Sequence, residues 1–142
     1  MMFLLDTNVI SELRRAKSDK ADKHVLAWAA GVPQAVLFLS AISLLELEMG
    51  VLSVARRDVA QGAMLRDWLD GHVLPAFSGR ILDVDTAVAL CCARLHVPNP
   101  CAERDALIAA TAIVHGMTVV TRNVADFAAT GAALFNPWDA AI

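Results

Sequence analysis

The stretch "MMFLLDTNVISELRR" (1–15) decides the fold. Met2 to Leu5 read as a short buried strand, and a helical stretch follows over about 8–15. Between them come Asp6, Thr7 and Asn8, with no Gly or Pro to make a simple turn. The sequence therefore places an uncompensated carboxylate at the mouth of its first core strand.

Working outward, the same unit recurs. Short apolar runs at 35–40, 80–84, 117–121 and 133–136 read as further strands. Helical stretches fall at about 20–30, 43–57, 59–77, 85–96 and 103–115. Strands too short to alternate, separated by helices, imply a sheet covered on both faces. The expected class is α/β: three layers, α/β/α, around a short and mostly parallel sheet, as one domain over 1–142. Such sheets place ligand sites outside the carboxyl ends of their strands, and Asp6 lies at one such end.

Composition narrows the function. The apolar fraction of 57% argues against disorder, and a net charge of −3 against a generally basic nucleic-acid binder, though not against a local patch. Val25–Leu45 lacks charge, but Gly31, Pro33, Gln34, Ser40 and Ser43 break it below a membrane span. Asp6 interrupts any signal-peptide core, so a cytoplasmic protein is expected. Cys91, Cys92 and Cys101 have no CxxC spacing, which argues against disulfides and a zinc site.

Three more acids stand at strand ends or just beyond. Glu46 follows the second strand in "SAISLLELEMG" (40–50). There Ser43-x-x-Glu46 also fits a capping box, so the pattern alone leaves a cap or a site residue open. Glu48 lies about 200° further round the helix and cannot share a site with Glu46. Asp105 opens a buried helix, where the macrodipole alone would favour an anion. Asp126 follows the strongest strand in "MTVVTRNVADF" (117–127) and would equally cap a short helix through Ala129. Together the four would converge on one edge of the sheet. Repulsion and desolvation oppose that arrangement, and a hard divalent cation relieves it. Oxygen donors with no His or Cys nearby indicate Mg²⁺ or Mn²⁺ rather than Zn²⁺.

These blocks resemble the PIN domain, in particular the VapC-type toxins of bacterial toxin–antitoxin pairs. "LLDTNVISEL" (4–13) is similar to its N-terminal signature, "LSAISLLELEMGV" (39–51) to its second acid block, and "RDALIAATAIVHGMTVVTRNVADF" (104–127) to its third and fourth. The ending "GAALFNPW" (131–138) resembles the FitB-like branch. The resemblance implies catalytic acids at Asp6, Glu46, Asp105 and Asp126. Asp6, Asp105 and Asp126 would bind metal directly, and Asn8, Thr121 and Asn123 would hold or flank the site. Arg104 departs from the small residue many relatives carry there. It either contacts phosphate or a partner, or faces solvent, and solvent is the favoured expectation.

The activity so implied is Mg²⁺-dependent endoribonuclease cleavage by activated water, leaving a 5′-phosphate and a 3′-hydroxyl. A VapB-like antitoxin would restrain it, docking on the helices at 8–15 and 43–57, and a homodimer is expected. Arg14, Arg15, Lys17, Lys20 and Lys23 follow Asp6 closely enough to track RNA, although such runs are commonly a solvated helix face. Trp28, Trp68 and Trp138 read as packing residues, and the four histidines have no common spacing. The rival in another class is a non-catalytic PIN-like module acting in a repressor or sequestration complex. A haloacid-dehalogenase-like phosphatase would need an acid at Asn8, and a receiver domain a lysine at Asn136.

Overall fold

Strand β1 (Phe3–Leu5) lies at the centre of a five-stranded parallel sheet ordered β3-β2-β1-β4-β5. β2 (Leu37–Ser40) and β4 (Thr118–Val120) flank it, and β3 (Ile81–Leu82) and β5 (Leu134–Phe135) form the edges. Leu4 pairs with Phe38 on one side and Val119 on the other. The structure, a computed structural model, describes residues 1–139, so the last three residues of the domain expected over 1–142 lie outside the described residues.

The pleat explains why these strands show no polar alternation. Leu5, Leu39 and Val120 face one layer with Val9 and Ile10 of α1 (Thr7–Arg14) and Leu47 and Val51 of α3 (Ala41–Arg57). Leu4 and Val119 face the other, against Ile108, Ala109 and Ala112 of α7 (Glu103–His115). Both faces are buried, and each leucine so placed contributes about 2 kcal/mol. The expected three-layer α/β class is the observed one. Cys91 and Cys92 of α6 (Thr86–Leu95) pack against Ala106 and Ala110 of α7 as small hydrophobes, and all three cysteines are free thiols. Among the described residues, no helix is long and apolar enough to cross a membrane.

Several boundaries differ from expectation for local reasons. α2 (Lys23–Ala30) starts three residues later than 20, because the Asp22 carboxylate caps it by accepting from His24 N (2.9 Å) and Val25 N (3.2 Å). β2 is shortened by a 3₁₀ turn at Gln34–Val36. The helix expected over 59–77 begins as α4 (Val59–Trp68), widens into a π-helical turn at Leu69–Val73 and ends in α5 (Leu74–Ala76). The last helix, α8, spans Val124–Phe127.

From β1 the chain builds outward through β2 to β3, then crosses back to add β4 and β5 on the other side. The strand order reverses between β1 and β4. A crevice forms at such a switch point, outside the carboxyl ends, and Asp6 and Thr121 stand there.

Candidate functional site

Asp6 closes β1 and opens α1. Its backbone N–H still donates to Val120 O (2.9 Å), so the sheet fixes its position. Its carboxylate, 6% exposed, accepts from Thr7 N at Oδ1 (2.8 Å) and from Thr121 Oγ1 at Oδ2 (2.8 Å). Asn8 Nδ2 adds a longer bond to Oδ2 (3.4 Å). Asn8 and Thr121 thus hold the Asp6 carboxylate in place. Asn123 contributes through its backbone instead, its N–H donating to Thr121 Oγ1 (3.0 Å).

The capping box expected at Ser43 and Glu46 does not form. β2 runs straight into α3, so the cap falls on Ser40, whose hydroxyl accepts from Ile42 N (3.0 Å). Ser43 is buried with its hydroxyl unpartnered among the described residues. Glu46 therefore sits in the second helical turn, free of capping, and turns into the cleft. Thr7 Oγ1 donates to its Oε1 at 2.6 Å. Glu48 points elsewhere, its carboxylate forked against Arg66 (2.8 and 2.6 Å). Nor does Arg104 simply face solvent: half exposed, its Nη1 lies 3.6 Å from Glu46 Oε2. Near a cluster of acids the guanidinium goes to the nearest carboxylate.

Asp105 occupies the first turn of α7 and lines the same cleft as Asp6 and Glu46. Asp126 is not the expected cap. It lies inside α8, is exposed, and borders a neighbouring depression beside Cys101. The four acids nevertheless share one electrostatic field. Burial pushes the Asp6 carboxyl above its usual range, against the bonds from Thr121 and Thr7, and the charges of Glu46 and Asp126 push the same way. Burial also raises Asp105, helped by Asp6, Asp126 and Glu46.

Both carboxyls thus hold protons more tightly folded than unfolded, where they titrate near 3.8. The stability that protonation adds is complete below pH 3.8 and is lost as pH rises through the raised folded values. In EDTA, the melting-temperature difference between Asp105→Asn and the unsubstituted protein should open in the variant's favour as pH rises from 3.8 through the raised folded value. A difference that stays constant across that range would contradict the electrostatic account.

The cleft encloses about 430 Å³ and is lined by Asp6, Thr7, Asn8, Glu46, Asp105 and Asn123, with Arg15, Arg122 and Trp138 at its rim. Of the basic residues singled out from sequence, Arg15 and Arg104 stand at the acids. The Arg14 guanidinium lies over Trp68 (5.8 Å to the ring centroid), in an adjoining groove that shares Thr7, Ser11, Arg15 and Glu46 with the acid cleft. Sequence reasoning gave Thr7 and Arg122 no role in the cleft, and it read Trp138 as packing only.

A model of the PIN domain matches residues 3–132. The chain belongs to the PIN-domain family. It is 39% identical to VapC ribonuclease Y4jK of Sinorhizobium fredii, over 99% of this chain and all of that one. It is also 39% identical to toxin FitB of Neisseria gonorrhoeae, over 96% of this chain and 99% of that one. The structure of FitAB bound to a DNA fragment superposes with a TM-score of 0.88 at 36% identity, covering 99% of both chains.

In this PIN domain the donor set suits a hard cation: carboxylate, hydroxyl and amide oxygens, with no thiol or imidazole in the cleft lining. Among the described residues, no three His, Cys, Asp or Glu side chains close around one point. The acids are spread along the cleft rather than formed into a cage.

Proposed function

We propose that this PIN domain is a divalent-metal-dependent endoribonuclease, with Mg²⁺ or Mn²⁺ as cofactor, acting as the toxin of a toxin–antitoxin pair. The observation that carries this reading is the placement of Asp6, Glu46 and Asp105 in one cleft at the sheet's switch point, with Asp126 near enough for its charge to bear on both aspartates and with Arg15, Arg104 and Arg122 beside them. Whole-length similarity to proteins named as a ribonuclease and a toxin supports it.

Asp6 and Asp105 in the cleft, with Asp126 from the neighbouring depression through bound water, are the residues that would hold the ion, whose chemistry when bound is Lewis-acid polarisation and neutralisation of phosphate charge. The chain's own contribution is positioning. Thr121 and Thr7 fix both Asp6 oxygens, so the buried carboxylate cannot rotate away from the cleft. Glu46, with Oε1 tied to Thr7 and Oε2 beside Arg104, lines the cleft where it would orient the attacking water. Arg15 and Arg104 attract the polyanion to a site whose own charge would repel it. A VapB-like partner protein would occupy or block the cleft, as expected of a nuclease harmful to its host.

The test is incubation of the purified protein, free of any bound partner, with total bacterial RNA in Mg²⁺ or EDTA, followed by mapping of the ends. Cleavage in Mg²⁺ alone, leaving 5′-phosphates, is the expected result. Mg²⁺ binding without cleavage of any RNA would instead favour the non-catalytic binding module.

A further inference from the structure

Trp138 and Arg122 form one wall of the acid cleft. Arg122 follows β4 by two residues and Trp138 follows β5 by three, so parallel pairing brings both to the same carboxyl edge as Asp6. The Arg122 guanidinium lies over the indole, 5.5 Å from its centroid. A chain of hydrogen bonds fixes this wall to the acids. Trp138 N donates to Asn136 Oδ1 (2.9 Å), and Asn136 Nδ2 to Arg122 O (3.4 Å). Arg122 N donates to Asn8 Oδ1 (3.4 Å), and Asn8 in turn to Asp6.

Packing accounts for part of this. Trp138 is half-buried and touches the cluster around Leu5 and Val120. Packing does not explain Arg122. Beside several carboxylates, this exposed guanidinium makes no ion pair among the described residues and rests on the ring instead. An exposed cation–π contact is weaker than base–aromatic stacking, and guanidinium–phosphate pairs are among the strong charge-assisted contacts. An incoming nucleotide therefore has a more favourable use for both groups than they have for each other.

We propose that Trp138 and Arg122 form a nucleotide subsite beside the acids, in which an unpaired base stacks on the indole and its phosphate takes the Arg122 guanidinium. The inference rests on the ribonuclease reading above and sharpens its substrate to RNA that is single-stranded next to the cut. A paired base has no free face to offer, whereas a splayed base does.

The experiment uses a short single-stranded oligonucleotide spanning the mapped cut, and a set in which each flanking nucleotide in turn is abasic. Trp138→Leu should raise KM roughly tenfold with kcat nearly unchanged, and Trp138→Phe should recover most of the loss. One abasic position should raise the unsubstituted enzyme's KM by a similar factor and have no further effect on Trp138→Leu. A merely structural tryptophan would not produce that non-additivity. Arg122→Ala, a surface change that tests the site even where Trp138→Leu folds poorly, should reduce the slope of log KM against log salt by about 0.7. Equal KM values for the unsubstituted and Trp138→Leu enzymes, penalties that add at every abasic position, or an unchanged salt slope would overturn the subsite while the nuclease reading stood. Absence of cleavage by the unsubstituted enzyme would overturn both.

Discussion

Asp6→Asn is expected to lower Mg²⁺-dependent RNA cleavage by at least about a hundredfold, the scale on which one electrostatic group at a reacting centre acts. In EDTA the same variant should melt higher than the unsubstituted protein. The two effects come from one cause. Asp6 is buried at the end of the central strand beside Glu46 and Asp126, so its charge opposes folding. Asparagine removes that charge but keeps the local structure. It is as good an N-cap as aspartate and its Oδ1 still accepts from Thr7 N; the bonds that Oδ2 takes from Thr121 Oγ1 and Asn8 Nδ2 are lost, which offsets part of the gain from removing a buried charge. Added Mg²⁺ should then raise the melting temperature of the unsubstituted protein and leave Asp6→Asn nearly unmoved, because only a state that binds the ion gains from it. Full activity in Asp6→Asn, or a variant that melts lower in EDTA, would remove Asp6 from the centre of the site.

Parallel topology was legible, and with it the edge that Asp6 shares with the end of β4: once short apolar strands alternate with helices, a carboxylate just past a strand must stand at that edge. Asp105 reaches it differently, by opening the helix that precedes β4. What the sequence hid was local competition. Ser40 and Ser43 are both plausible caps for α3, and the choice depends on whether β2 runs into the helix without a loop, which no pattern reports. Arg104 was expected in solvent. Its nearest carboxylate, Glu46, is 58 positions away, on an element that only folding brings close. Trp138 belongs to a core cluster and to the cleft at once, and sequence patterning registers the first role only.

Gly62→Ala should destabilise the fold by about 2 kcal/mol and lower the melting temperature by about 7 °C, although the same exchange in an ordinary helix gains about 1 kcal/mol. The sign turns on what a methyl group would meet. A Cβ at Gly62 would lie 2.5 Å from Ala55 Cα and 2.6 Å from Ala55 Cβ. The first is backbone of α3, so no side-chain rotation relieves the contact and the helices must part. Little slack exists for that. Asp58 joins α3 to α4 directly, its N–H donating to Val54 O (2.9 Å) and its carboxylate capping α4 through Gln61 N (3.1 Å). Further along, Arg66 ties α4 to Glu48 of α3. Overpacking at the top of its usual range, about 3 kcal/mol, therefore outweighs the propensity gain. α3 carries Glu46 more than two turns before Ala55 and on a different face from Glu48, so cleavage at low temperature should fall much less than stability does. A melting temperature at or above that of the unsubstituted protein would mean that α3 and α4 yield freely, and that their close crossing does not fix the helix that brings Glu46 to the cleft.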